Sequence, residues 1–239
     1  MLFKYLLLSF FLVSPFSADS VYLILSPKST NTTLAKSIDK KVALTEISVD
    51  ELYSNLQKNQ FSLPKLESFA QALNGFYKLK EEGKIKKDIV TLIDFSLPSS
   101  AKRLWVIDLV SKTILFQSLV AHGRKTGEEF ANSFSNAAQS FKSSLGFYST
   151  GEVYNGKHGL SLRLDGLEKG INDNARNRGV VIHAANYVSA SFIKNNKRLG
   201  RSEGCPALPV SLSKEIISAI KDKSCLFIYH PKLSSHVVS

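Results

Sequence analysis

Residues 89–121 read IVTLIDFSLPSSAKRLWVIDLVSKTILFQSLVA. Three runs in this stretch, Ile89 to Phe95, Leu104 to Leu109 and Ile114 to Ala121, are short and rich in Val, Ile, Leu and Phe, with turn residues around them. Apolar runs of that length and composition are strands rather than helices. Ser111-Lys112-Thr113 leaves only a tight connection between the second and third runs, which predicts a hairpin. Toward the C-terminus the same kind of run recurs at Leu145 to Val153, Leu160 to Leu164, Gly179 to Ala184 and Cys225 to His230. Glu215 to Lys221 has helical spacing instead, with Ile216, Ile217 and Ile220 on one side. Many short strands and few helices predict a β-rich α+β domain over residues 91–232, with 233–239 as a tail.

Toward the N-terminus the pattern lengthens, and residues 21–90 read as a helical segment. Ser48 with Glu51 makes a capping box before Leu52 and Leu56. Pro64 can open the next helix, because the N–H it lacks would be unpaired there. Leu66, Phe69, Ala70, Leu73 and Tyr77 fall on one predicted face, and Gly83 can end the helix. Lys84 to Lys87 reads as a solvated linker. Residues 1–20 begin with a positive charge at Lys4, continue through an uncharged Leu/Phe-rich run and end in small residues, the layout of a secretory signal peptide. That run is shorter than the ~20 residues a membrane-spanning helix needs. The expectation is export to the periplasm or cell envelope, with no stable membrane span after cleavage; an uncleaved anchor is the competing reading.

The chain has 239 residues, 44% hydrophobic and 21% charged, which excludes a wholly disordered protein. Lys and Arg number 31 against 20 Asp and Glu, a net charge of +11. A basic surface suits an anionic partner. Nucleic acid, a membrane face and an acidic wall polymer all fit that description, and the expected export argues against the first. No Gly-rich phosphate loop precedes a helix, and no pair of His or Cys has zinc spacing, so neither cofactor nor metal is expected.

Few residues remain to carry chemistry. Cys225 sits in an apolar run, as structural cysteines do. Cys205 sits in the polar turn Gly200-Arg201-Ser202-Glu203-Gly204-Cys205-Pro206. Gly204 allows close backbone approach, and the charge of Arg201 favours a thiolate over the ordinary thiol, whose pKa is about 8.5. His183 ends the run from Gly179, where it is either a hydrogen-bonded core residue or a base for that thiol. A disulfide between Cys205 and Cys225 is the competing reading for an exported protein, and their contrasting surroundings argue against it.

His183-Ala-Ala-Asn-Tyr followed by Ser202-Glu203-Gly204-Cys205 resembles the signature of the L,D-transpeptidase catalytic domain, in particular the murein L,D-transpeptidase catalytic domain family. Further traits of that subgroup are Ile93-Asp94-Phe95-Ser96-Leu97-Pro98, Ala121-His122-Gly123-Arg124, Ser133-Phe134-Ser135-Asn136 and Asn155-Gly156-Lys157-His158-Gly159-Leu160-Ser161-Leu162. The resemblance spans roughly residues 70 to 232. Glu203 stands where the common motif has His, and Pro206-Ala207 where a polar residue is usual.

The resemblance implies a β-sandwich catalytic domain that transfers acyl groups between peptidoglycan stem peptides without a cofactor. It implies Cys205 as nucleophile and His183 as base, with the amides around Gly204 and Cys205 holding the oxyanion. Ser202 would orient the turn or His183. Arg201, Arg176 and Arg178 are candidates to bind a stem carboxylate, and His158 to line the cleft. Trimming of stems by hydrolysis and a non-catalytic wall-binding role are the alternatives.

Overall fold

The computed structural model describes residues 49–233. The expected signal peptide, the cap at Ser48 and the tail beyond Leu233 lie outside the described residues. The described chain enters in a helix that runs to residue 54 (α1), and a second helix, α2, spans Leu66–Glu81. Pro64 lies outside α2, which is preceded by Lys65 without a side-chain cap. The C-terminal stop is the one expected. Gly83 takes φ +70, its N–H donates to Lys80 O, and the Lys84 N–H donates back to Leu79 O. This satisfies the last carbonyls in the manner of a Schellman motif.

The buried face of α2 is rotated from the expected one. Phe69, Ala72, Leu73, Phe76 and Leu79 are buried, whereas Leu66 and Tyr77 are 44% and 47% exposed. Phe76 and Leu79 extend the Phe69–Leu73 ridge along the helix, and Leu66 and Tyr77 fall on its flanks. Burying a side chain such as Phe69 or Phe76 stabilises by about 1.5–3 kcal/mol. That face packs on the sheet described next, in the same core as Val90, Leu92 and Phe227. Residues 49–88 therefore share one core with the strands.

The strands among the described residues are β1 Ile89–Asp94, β2 Leu104–Asp108, β3 Thr113–Ser118, β4 Gly146–Gly156, β5 Gly159–Gly166, β6 Val181–Ala184, β7 Ala207–Leu208 and β8 Cys225–Tyr229. They form one sheet in the order β3-β2-β1-β8-β4-β5-β6-β7. The β1–β8 and β6–β7 pairs are parallel and the rest antiparallel. The chain just past β3 then pairs with β7 at the opposite end. Ala121 N–H donates to Ala207 O at 2.9 Å, and Ala207 N–H donates back at 3.3 Å. The sheet thus curls until its two edges meet. Helix α3 (Ala190–Asn196) follows β6, and α4 (Val210–Ile220) buries Ile216, Ile217 and Ile220 in the main core. The β-rich α+β class is the one expected. The two-residue strand β7 and the short helix α3 are too brief to show in hydropathy.

Beside the meeting edges lies a buried polar cluster. Arg103, fully buried, donates to Val120 O from Nε and Nη2 and to Leu97 O from Nη1. Its Nη2 also lies 2.8 Å from His122 Nδ1. A guanidinium only donates, so Nδ1 is the acceptor and His122 carries its proton on Nε2, which donates to Gly127 O at 3.2 Å. Burial first, and then the Arg103 charge, push the His122 pKa down to about 4.

The unfolded chain therefore binds a proton between about pH 6.5 and 4 that the folded chain refuses, and stability contributed by neutral His122 is lost as pH falls through that window. At about 1.36 kcal/mol per pH decade the full effect is roughly 3 kcal/mol. Urea unfolding at pH 7 and pH 4.5 should show a steeper loss for the unmodified protein than for His122→Gln, which cannot titrate. Parallel losses in the two would refute this assignment.

Candidate active site

His183 sits on β6 between Ser161 of β5 and Ala207 of β7, its partners in the two ladders. The parallel β6–β7 register carries back along both chains and sets Cys205 beside Val181. The Val181 N–H points at Cys205 Sγ at 3.5 Å, and the thiol can donate to Gly179 O at 3.8 Å. The His183 ring is buried, with Nδ1 at 2.9 Å from Ala184 O. A carbonyl only accepts, so Nδ1 carries the hydrogen and Nε2 keeps its lone pair. Cys205 and His183 line one cleft of about 350 Å³. No hydrogen bond joins them among the described residues; the thiol faces the start of β6.

The electrostatics differ from the expectation of a thiolate beside Arg201. Burial pushes the Cys205 pKa up, the Val181 N–H and the Arg178 charge push it down, and Glu203 pushes it up again, with a net rise. These surroundings favour the protonated thiol over the thiolate. Burial likewise lowers the His183 pKa, opposed by the Ala184 carbonyl and reinforced by His158 and Lys157. Cys225 is buried in β8 and pushed up to about 12 by desolvation. Both cysteines are free, so the alternative of a disulfide between them is not the observed state.

The turn that carries Cys205 is built from its own hydroxyl and from two supporting segments. Ser202 Oγ donates to Cys205 O at 2.6 Å and accepts the Gly204 N–H at 3.1 Å. Ser202 N–H donates to His122 O, and Arg124 N–H to Ser202 O. Ser143 Oγ accepts the Gly123 N–H and donates to Gly204 O. Gly204 has φ +127, and a Cβ there would lie 2.9 Å from Lys142 O, so only glycine fits. The Gly204 amide is thus consumed inside the turn, which takes it out of the expected pair of oxyanion donors. The Cys205 N–H has no acceptor among the described residues.

The arginines separate into different roles. Arg176 is outside the cleft lining, with its guanidinium held by Glu152 at 2.9 and 3.0 Å and by Asp165. Arg178 borders the cleft but donates to Ser135 O, Ser144 Oγ, Ser140 Oγ and Lys142 O, all within the loop that backs Gly204. Arg201 lines the cleft and is tied to Arg124 O, Gly127 O and Glu128. His158, in the β4–β5 turn, is in the cleft and stacks on His183, with centroids 4.4 Å apart and planes 22° apart. Lys157, Tyr154 and Tyr187 also line the cleft and were not among the expected site residues. Lys157 and Tyr187 both lie in quoted runs, beside His158 and four residues after His183, whereas Tyr154 had no signal beyond its place just before the run that starts at Asn155.

A family model described as the L,D-transpeptidase catalytic domain matches residues 61–229. Among solved structures, the chain is similar to an L,D-transpeptidase from Mycobacterium smegmatis at 11% identity and a TM-score of 0.38, over 60% of this chain and 59% of that one. It is similar to the helical cell shape determining protein of Campylobacter jejuni at 15% identity and a TM-score of 0.39, over 64% and 53%. It is similar to an L,D-transpeptidase of Xylanimonas cellulosilytica at 10% identity and a TM-score of 0.33, over 76% and 77%. The chain spans about three-fifths of the mycobacterial structure and about half of the Campylobacter one. No curated protein matches it.

Proposed function

The chain belongs to the L,D-transpeptidase catalytic-domain family, and from that premise we propose that it transfers peptidoglycan stem peptides through a thioester on Cys205. The observation that carries this reading is the common cleft. The β6–β7 ladder brings to it a thiol and an imidazole whose Nε2 lone pair is unbonded among the described residues.

In this reading the thiol leaves Gly179 O, turns toward Nε2 of His183 and gives up its proton. Apo geometry of this loose kind is common before substrate tightens the pair. The thiolate attacks the carbonyl before the terminal D-Ala of a tetrapeptide stem, and the Cys205 N–H donates a hydrogen bond to the developing oxyanion, a contribution of about 2.7–4 kcal/mol for a well-placed donor. His183 protonates the departing D-Ala amine, and an amine from a second stem resolves the thioester. Lys157, which is in no ion pair among the described residues, takes the stem carboxylate in place of Arg176 and Arg178. The basic balance of the chain suits residence in an anionic envelope, and no helix among the described residues is long and apolar enough to cross a membrane.

The test is mass spectrometry of the protein incubated with purified tetrapeptide muropeptides. An acyl adduct on Cys205 with cross-linked dimers is the expected result. Trimmed monomers alone would make it a carboxypeptidase, and binding without adduct or product would make it a wall-binding module.

A further inference from the structure

Resting on that reading, we propose that His158 is a positioning residue for the base: its ring, stacked on His183, holds the imidazole edge toward the thiol. His183 is held by one hydrogen bond in its ring plane, from Nδ1 to Ala184 O. A single in-plane bond leaves the ring free to swing about that axis. The face of the ring is covered by His158, at a centroid distance of 4.4 Å and a tilt of 22°, a stacked contact at the short end of aromatic pairing. The two constraints act in different directions, so together they fix where Nε2 points.

The role is one of position rather than charge, because His158 disfavours the protonated form of His183 that arises when Cys205 gives its proton to Nε2. His158 itself is exposed on the tight turn between Gly156 and Gly159, where β4 and β5 pair, so it has no core to support. Its side chain is the turn's contribution to the cleft. The proton passes only from Sγ to Nε2; His158 neither gains nor loses one in this step.

Two substitutions separate this role from its competitors. His158→Ala removes the stack and should lower kcat for D-Ala release about five- to tenfold, with KM little changed, the scale of one aromatic pair. The rate of Cys205 alkylation by iodoacetamide at pH 7 should fall in parallel, because fewer thiolates form. His158→Phe restores the stacking face without the ring nitrogens and should recover most of both rates. A rise in KM alone would make His158 a substrate contact and overturn the proposal. So would a Phe variant as impaired as the Ala variant, or two variants that match the parent protein. The alkylation arm needs no substrate. If the parent protein forms no acyl adduct, the transpeptidase reading fails while the coupling of His158 to the thiol is still measured.

Discussion

Cys205→Ala is expected to give a folded protein that releases no measurable D-Ala and forms no acyl adduct, a loss of roughly 10⁴–10⁶-fold in kcat on the scale of other removed nucleophiles. The size follows from the absence of a substitute. Ser202 is the nearest hydroxyl in sequence, but its Oγ already donates to Cys205 O and accepts the Gly204 N–H. Using it as a nucleophile would dismantle the turn. Cys225 is buried in β8 with its pKa pushed up to about 12. The structural cost is small by comparison. The sulfur takes one bond from the Val181 N–H at 3.5 Å, and orphaning an amide costs about 1–3 kcal/mol at most. Cys205→Ser keeps an acceptor there and should melt close to the parent protein while remaining at least ~10³-fold impaired, since a neutral hydroxyl is a far weaker nucleophile than a thiolate. Release of D-Ala by the alanine variant at more than a hundredth of the parent rate, checked on the same muropeptides, would remove Cys205 from the mechanism.

The parts of this arrangement that were legible in the sequence are those with strong local signals. Hydropathy alone located the strands that became β1, β2, β3, β4, β5, β6 and β8, because each is a short apolar run between turn residues. Gly83 announced the end of α2 for a purely local reason, the need for positive φ. The face of α2 was less legible. Leu66 and Tyr77 satisfy helical spacing as well as Ala72 and Phe76 do, and only the position of the sheet chooses between them.

At the site, the contrast between Cys205 in a polar turn and Cys225 in an apolar run was visible in composition. The electrostatics were not. Proximity in sequence suggested Arg201 as the charge on the thiol, whereas Arg201 spends its guanidinium on Glu128 and two carbonyls. Arg178 reaches Cys205 instead, because Gly179 and Val180 lead straight into the strand that lies against it. Similarly, nothing local marks Ser143 as the residue that ties Gly123 to Gly204. Such long-range ties connect the quoted sequence blocks. Ala121 to Arg124 braces the Ser202 turn, Ser133 to Asn136 includes an acceptor for Arg178, and the turn holding His158 covers His183.

Arg178 is where the second large effect is expected. Its guanidinium donates to Ser135 O at 2.8 Å, Ser144 Oγ at 2.6 Å, Ser140 Oγ at 3.1 Å and Lys142 O at 2.6 Å. It therefore gathers the loop from 135 to 144 around one planar cation, a geometry that lysine cannot reproduce. That loop resists being gathered. Gln139 and Phe141 both have positive φ, at 55° and 56°, a region that costs a residue with a side chain about 1–2 kcal/mol. The held loop forms the wall behind Gly204, with Lys142 O facing the place a Cβ would occupy and Ser143 Oγ on its carbonyl. Arg178→Leu should let the loop relax and move the Cys205 turn. A displacement of about 1 Å at a reacting atom is enough to cost roughly 10²-fold in kcat. The same change removes a positive charge that lowers the Cys205 pKa, so the midpoint of its alkylation against pH should move upward. Arg178→Lys keeps the charge and loses the fork. It should hold that midpoint near the parent value while still losing most of the turnover, which assigns the larger share of the effect to geometry. Turnover of the leucine variant within twofold of the parent, with an unmoved alkylation midpoint, would show that neither the loop nor the charge bears on the nucleophile.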